Sequence, residues 1–99
     1  MLGNRGTGLP NEITEFQDTP NPNAAKAVLA RPLPASGEGL RSYGAAADAA
    51  GDPLGAALMA VPGVRNVLIH REWITVGREP GAPWEPIREG VRRVLREQA

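Results

Sequence analysis

Residues 61–76, VPGVRNVLIHREWITV, limit what this chain can fold into more than any other stretch. Two apolar runs, Val64 to Ile69 and Trp73 to Val76, flank the polar link His70-Arg71-Glu72. β-Branched and aromatic residues dominate both runs, and a connection of about three residues is hairpin length. Pro62-Gly63 punctuates the entry and Gly77 the exit. The spacing therefore predicts an antiparallel hairpin, and a hairpin alone cannot bury its apolar face. The rest of the chain has to cover it.

Upstream, Met1 to Asn11 is rich in glycine and polar residues and reads as a flexible leader, leaving residues 12–99 as one domain. Glu12 to Asp18 predicts a first strand, although Ile13 and Phe16 have opposite parity. Thr19-Pro20-Asn21-Pro22-Asn23 is a stiff connection, because each proline fixes its own φ and extends the residue before it. A second strand is expected over Ala24 to Ala30, with Ala25, Ala27 and Leu29 on one face and Lys26 and Val28 on the other. Arg31-Pro32-Leu33-Pro34 continues extended in a manner suited to a sheet edge. Ala35 to Gly39 reads as loop, and Leu40 to Ser42 as a short further strand.

Two helices are expected next. Ser42 can cap an alanine-rich helix over Tyr43 to Ala50, ended by Gly51 in a left-handed conformation. Asp52-Pro53 then restarts a helix, acid at the cap and proline in the first turn. Its Leu54, Ala57, Leu58 and Val61 share one stripe. Beyond the hairpin, Arg78 to Ala82 is loop and Pro83 opens a last helix. Trp84, Ile87, Val91, Val94 and Leu95 form its apolar stripe, and its other side is charged. There Glu89 has the spacing to pair with Arg92 and Arg93.

The order β-β-(β)-α-α-β-β-α gives an α+β fold: an antiparallel sheet of about four strands, made from two hairpins, with helices packed on one face as a two-layer sandwich. Val67, Ile69, Ile74 and Val76 are the residues predicted to lie beneath the helices. Trp73 and Trp84 are expected as core anchors, or as contact residues if either is exposed.

Composition excludes several functions. Eleven basic residues balance eleven acids, so the basic excess of a nucleic-acid binder is missing. With no cysteine, these 99 residues supply neither a thiolate ligand nor a disulfide. No apolar run approaches the roughly 20 residues of a membrane-spanning helix, and the N-terminus lacks a signal-peptide core. A cytoplasmic location is the expectation. The single histidine has neither a serine–histidine–aspartate arrangement nor a carboxylate pair at meaningful spacing around it, so no enzyme and no cofactor are expected.

From Thr19 onward the chain resembles the N-terminal domain of the Nfu/NifU-type scaffold proteins of iron–sulfur cluster biogenesis. The resemblance is carried, in order, by TPNPN with Ala24-Ala25-Lys26, Asp52-Pro53-Leu54, Val61-Pro62-Gly63-Val64, Trp73-Ile74-Thr75-Val76, and the helix-starting Trp84. Ala27 and Trp73 depart from the family's usual phenylalanines, and Leu68-Ile69 from its aromatic pair. In full-length members a separate domain carries a Cys-x-x-Cys pair that holds the cluster, so this chain resembles the stand-alone N-terminal form. The resemblance implies an accessory role, docking onto an iron–sulfur cluster carrier, a scaffold or a recipient apoprotein.

Each candidate site residue has a plain reading beside the functional one. Thr19, Asn21 and Asn23 make either a stiff connection or a recognition edge held with little ordering cost. Lys26 is a solvated lysine or an anion contact. Arg88, Arg92 and Arg93 are a solvated helix face or a docking face. His70 with Glu72, and Glu79 further off, is a turn histidine or part of a direct iron or small-ligand site.

Overall fold

The computed structural model describes residues 11–33 and 40–98. Of the expected leader over Met1 to Asn11, residues 1–10 lie outside the described residues, as does the expected loop over Ala35–Gly39. Strand β1 spans Ile13–Asp18, β2 Ala24–Leu29, β3 Arg41–Tyr43, β4 Val64–Ile69 and β5 Trp73–Arg78. Helix α1 spans Pro53–Met59 and α2 Trp84–Gln98, and a 3-10 turn covers Ala46–Ala49. The strands form one sheet in the order β1-β2-β5-β4-β3, every neighbouring pair antiparallel. Two hairpins, β1–β2 and β4–β5, thus join through β2 and β5, and β3 adds the fifth strand.

One face of this sheet is covered. Ala25, Ala27, Leu29, Val67, Ile69, Ile74 and Val76 are buried against Leu54 and Leu58 of α1 and Ile87, Val91, Val94 and Leu95 of α2. Each such Val, Leu or Ile contributes about 1.5–3 kcal/mol of burial before chain entropy is subtracted. Asp52 caps α1 as expected, its Oδ1 accepting from Gly55 N at 3.2 Å, with Pro53 at the first helical position. Gly63 turns the chain from α1 into β4 at φ +93°, a conformation that strains any residue with a side chain.

Two bulges resolve parity conflicts. Ile13 pairs with Leu29, yet Glu15 already pairs with Val28, so Thr14 is an extra residue in β1. Ile13 and Phe16 thereby end on one face, opposite Leu29 and Ala27. The same insertion at Arg65 in β4 lets Val64 and Val67 both point into the core. Asn11, with a 4% exposed surface, is also part of the packed structure. Its Oδ1 accepts from Glu12 N and Arg31 N, and its Nδ2 donates to Arg31 O, which pins the open end of the first hairpin.

Four expectations are corrected. Tyr43 is the last residue of β3, paired with Val67, and Ser42 is in the same strand rather than a helix cap. The alanine-rich segment that follows makes a single 3-10 turn, with Ala49 its buried residue. A run of alanines has too little apolar surface to hold a short helix against a core. Gly51 is not left-handed; among the described residues the glycines with positive φ are Gly63 and Gly81. Trp73 is not a core anchor: Ile74 takes the buried side, so Trp73 lies on the open face, half-buried. Trp84 does pack against the core, from its edge. Among the described residues, no helix is long and apolar enough to cross a membrane.

Candidate functional site

The Pro-Asn connection closes the β1–β2 hairpin, and its polar groups are largely engaged within it. Thr19 Oγ1 accepts from Asn21 N at 3.1 Å and shares its proton between Asn21 O at 2.8 Å and Ala24 O at 3.2 Å. Asn21 Oδ1 accepts from Asn23 N at 2.9 Å, and Ala24 N donates to Asn21 O. These are local turns that proline geometry and short polar side chains favour. The backbone edge expected to be available for recognition is therefore mostly used inside the turn, and the turn presents exposed Pro20 and Pro22.

Asn23 ties the turn to β5. Its carbonyl accepts from Arg78 N at 2.8 Å and its Oδ1 from Arg78 Nε at 3.1 Å, while Arg78 Nη1 donates to Ala82 O at 2.8 Å. So fixed, the Arg78 guanidinium lies over the Trp84 ring, 4.9 Å from its centroid. Arg88 follows one turn along α2, 5.8 Å from the Trp84 ring and 5.8 Å from the Phe16 ring of β1. Arg92, another turn on, lies 5.1 Å over Phe16. Three arginines and two aromatic rings thus alternate along one edge of the molecule, each contact of a kind that contributes about 0.5–1 kcal/mol at an exposed site.

Beside this row is a cleft of about 350 Å³ between Thr19, Pro20, Asn21 and Pro22 on one wall and Trp84 and Arg88 on the other. Asp18 also lines it. The structure therefore brings Thr19, Asn21 and Arg88 to one place, with Asn23 and Arg92 at its flanks. Arg93 is exposed and off this row, and the ion pair formed is Glu89–Arg92 at 3.9 Å, with side chains 64% and 43% exposed. A pair so open to solvent holds Arg92 weakly.

Lys26 is on the opposite face, where its ammonium lies 5.1 Å above the Trp73 ring. His70 also stacks on Trp73, at 4.8 Å, and its Nδ1 accepts from Glu72 N at 3.2 Å. That hydrogen bond leaves Nε2 as the ring nitrogen available for a ligand. Among the described residues, no group of three or more His, Asp or Glu is placed to hold a metal ion.

A second polar cluster fixes α1 to the sheet. Arg41 Nη1 meets Asp52 Oδ2 at 2.6 Å, and Tyr43 Oη donates to the same oxygen at 2.7 Å. Burial by itself pushes the Asp52 carboxyl up. The Tyr43 and Gly55 hydrogen bonds and the Arg41 charge outweigh it and hold the carboxyl below its ordinary value. The Tyr43 hydroxyl is raised, first by its hydrogen bond to Asp52 and then by burial. Gly55 leaves room for the tyrosine ring; a Cβ there would meet Tyr43 Cε2 at 2.6 Å.

Phe16 and Arg78 are not among the site residues expected from sequence, and Trp84 is expected there first as a core anchor. Arg78 is 55 positions from Asn23, and the pairing of β2 with β5 alone puts them together. Phe16 reaches α2 because of the Thr14 bulge, which alternation of residue types does not reveal.

Residues 13–99 match the family of the scaffold protein Nfu/NifU N-terminal domain. The chain belongs to that family. The chain is 33% identical over 89 residues to the mitochondrial NFU1 iron–sulfur cluster scaffold homologue of Drosophila ananassae, covering 90% of this chain and 31% of the fly protein. The chain thus spans about a third of that relative's length. Among solved structures, protein SAV1430 from Staphylococcus aureus superposes with a TM-score of 0.65 at 27% identity, over 84% of this chain and 96% of that one. A NifU-like protein from Saccharomyces cerevisiae superposes at 0.73 with 20% identity, over 88% and 78%, a likeness of fold.

Proposed function

We propose that this Nfu/NifU N-terminal domain is a non-enzymatic interaction domain of iron–sulfur cluster assembly or transfer. It docks a cluster carrier, a partner scaffold or a recipient apoprotein, and the cluster is cargo held by that partner. Family membership supports the iron–sulfur context, together with the name of the fly relative. With no cysteine in its 99 residues, the chain itself offers no thiolate to a cluster. The observation that carries the docking role is the cleft between the Pro-Asn turn and Trp84-Arg88. Its walls are fixed before binding by hydrogen bonds within the turn and by ring–guanidinium stacking, so little ordering entropy is lost when a partner arrives.

The test is titration of the purified protein with a purified, cluster-loaded, cysteine-bearing Nfu-type scaffold under anaerobic conditions, read by calorimetry. Saturable binding is the expected result. No heat and no co-sedimentation at a protein concentration of about 100 μM, weaker than transient complexes require, defeats the docking role.

A further inference from the structure

Arg88 is the unfinished element of the arginine row. Its Nε is covered by protein and has no hydrogen-bond partner. A buried donor without an acceptor is unfavourable by about 1–3 kcal/mol, and such groups call for an explanation. No carboxylate lies within ion-pairing distance of Arg88 among the described residues; the pairs formed are Arg41–Asp52 and Arg92–Glu89. Its guanidinium instead lies over two rings. Those ring contacts give the guanidinium no acceptor, and a guanidinium is the group that takes a carboxylate in two parallel hydrogen bonds. Arg92 repeats the arrangement over Phe16, one helical turn away.

The spacing of these two cations selects a shape. Four residues of helix rise about 6 Å. In an extended chain, side chains two residues apart point the same way and are separated by about 6.6 Å. We propose that the partner segment seated here is an extended acidic peptide with two carboxylate side chains one residue apart, the first on Arg88 at the cleft and the second on Arg92 over Phe16. This rests on the docking role proposed above and names its chemistry. On binding, the Arg88 guanidinium turns outward so that its Nε–H, covered in the free protein, gains the first carboxylate as acceptor. Asp18, on the cleft wall, and Glu89, beside Arg92, oppose the ligand and keep the affinity moderate.

The test uses the full chain at low salt. The probe is a peptide with blocked ends carrying two glutamates separated by one alanine, followed through backbone amide resonances. Shifts should gather at Phe16, Thr19, Trp84, Arg88 and Arg92, and binding should weaken steeply with added salt. Arg88→Gln should weaken binding about tenfold and Arg92→Gln several-fold, the loss expected for one charge-assisted contact each. Asp18→Asn should tighten it, an effect a purely structural role for Arg88 does not produce. Equal binding of the glutamine version of the peptide overturns the proposal, as does unchanged affinity in a folded Arg88→Gln variant. So does an equal response to a peptide whose sole carboxylate is its C-terminus. If the cluster-loaded scaffold binds the Arg88→Gln and Arg92→Gln variants as well as the parent, this inference falls while the docking role stands. If the scaffold does not bind the parent, the docking role falls.

Discussion

Val61 stands so close above Gly90 that a Cβ on the glycine would meet valine Cγ1 at 2.6 Å. The α1 exit packs directly on α2 here, and the absence of a side chain at position 90 permits it. Valine has one strongly preferred rotamer, so it cannot readily turn aside. Gly90→Ala should therefore destabilise by about 1–2 kcal/mol, overpacking outweighing the roughly 1 kcal/mol that alanine gains in helix propensity. Adding Val61→Ala should return part of the loss, which a double-mutant cycle in urea measures. A Gly90→Ala protein more stable than the parent would contradict the crossing geometry.

Ile74 lies fully buried near the start of β5, in the core cluster it shares with residues of both helices. Ile74→Ala should cost about 2–5 kcal/mol in chemical denaturation, from lost burial and the cavity left behind. A loss under about 1 kcal/mol would mean that the site collapses freely, which the packing around it does not allow.

Acid should loosen the attachment of α1. The folded Asp52 carboxyl is held below its ordinary 3.8, so its contribution to stability is complete above that value. It is lost as pH falls through the lower folded value. Urea midpoints followed from pH 6 to about pH 2 should show the parent approaching Asp52→Asn at the acid end. Tyr43 has the opposite sign: its raised hydroxyl stabilises below the ordinary 10.0 and loses that contribution as pH rises through the folded value. Tyr43→Phe should flatten the alkaline limb. Parallel profiles for parent and variants would rule out this linkage.

Thr19 holds the Pro-Asn turn through one hydroxyl that both accepts and donates. Thr19→Val keeps the shape and removes the hydroxyl, so it should lower stability by about 1 kcal/mol. Hydrogen exchange at the Asn21 amide should quicken, because its acceptor is gone. An Asn21 amide as protected as in the parent would remove Thr19 from the account of the turn.

Residue pattern reveals the layers of this fold because burial is written into alternation and helical spacing. Ile69, Ile74 and Val76 alternate as a covered sheet face should, and Leu54/Leu58 and Ile87/Val91 recur as helix stripes should. Pattern fails where one inserted residue resets it. Ile13 and Phe16 look mismatched until Thr14 is bulged out, and no local signal marks the bulge. Tyr43 fails for a related reason: among alanines it resembles a helix start, while its pairing with Val67 and its bond to Asp52 come from residues far along the chain. The candidate site was half legible. The prolines and asparagines of the turn and the arginines of α2 announce themselves by type, but the ring beneath each guanidinium is contributed by a different element.

The strand order carries a kinetic consequence. Each hairpin closes over a short connection, whereas Ala27 meets Ile74 across nearly half the chain. Local pairs form within microseconds, and loop entropy delays distant ones. The topology predicts that the two hairpins arise independently and that refolding waits for the seam between β2 and β5. Substitutions along Ala27 and Ile74 should then slow refolding in stopped-flow, while those at the hairpin tips should chiefly quicken unfolding. On that order the join that places Arg78 beside Asn23 would be the last to be made, and the cleft would exist only in a chain that has finished folding.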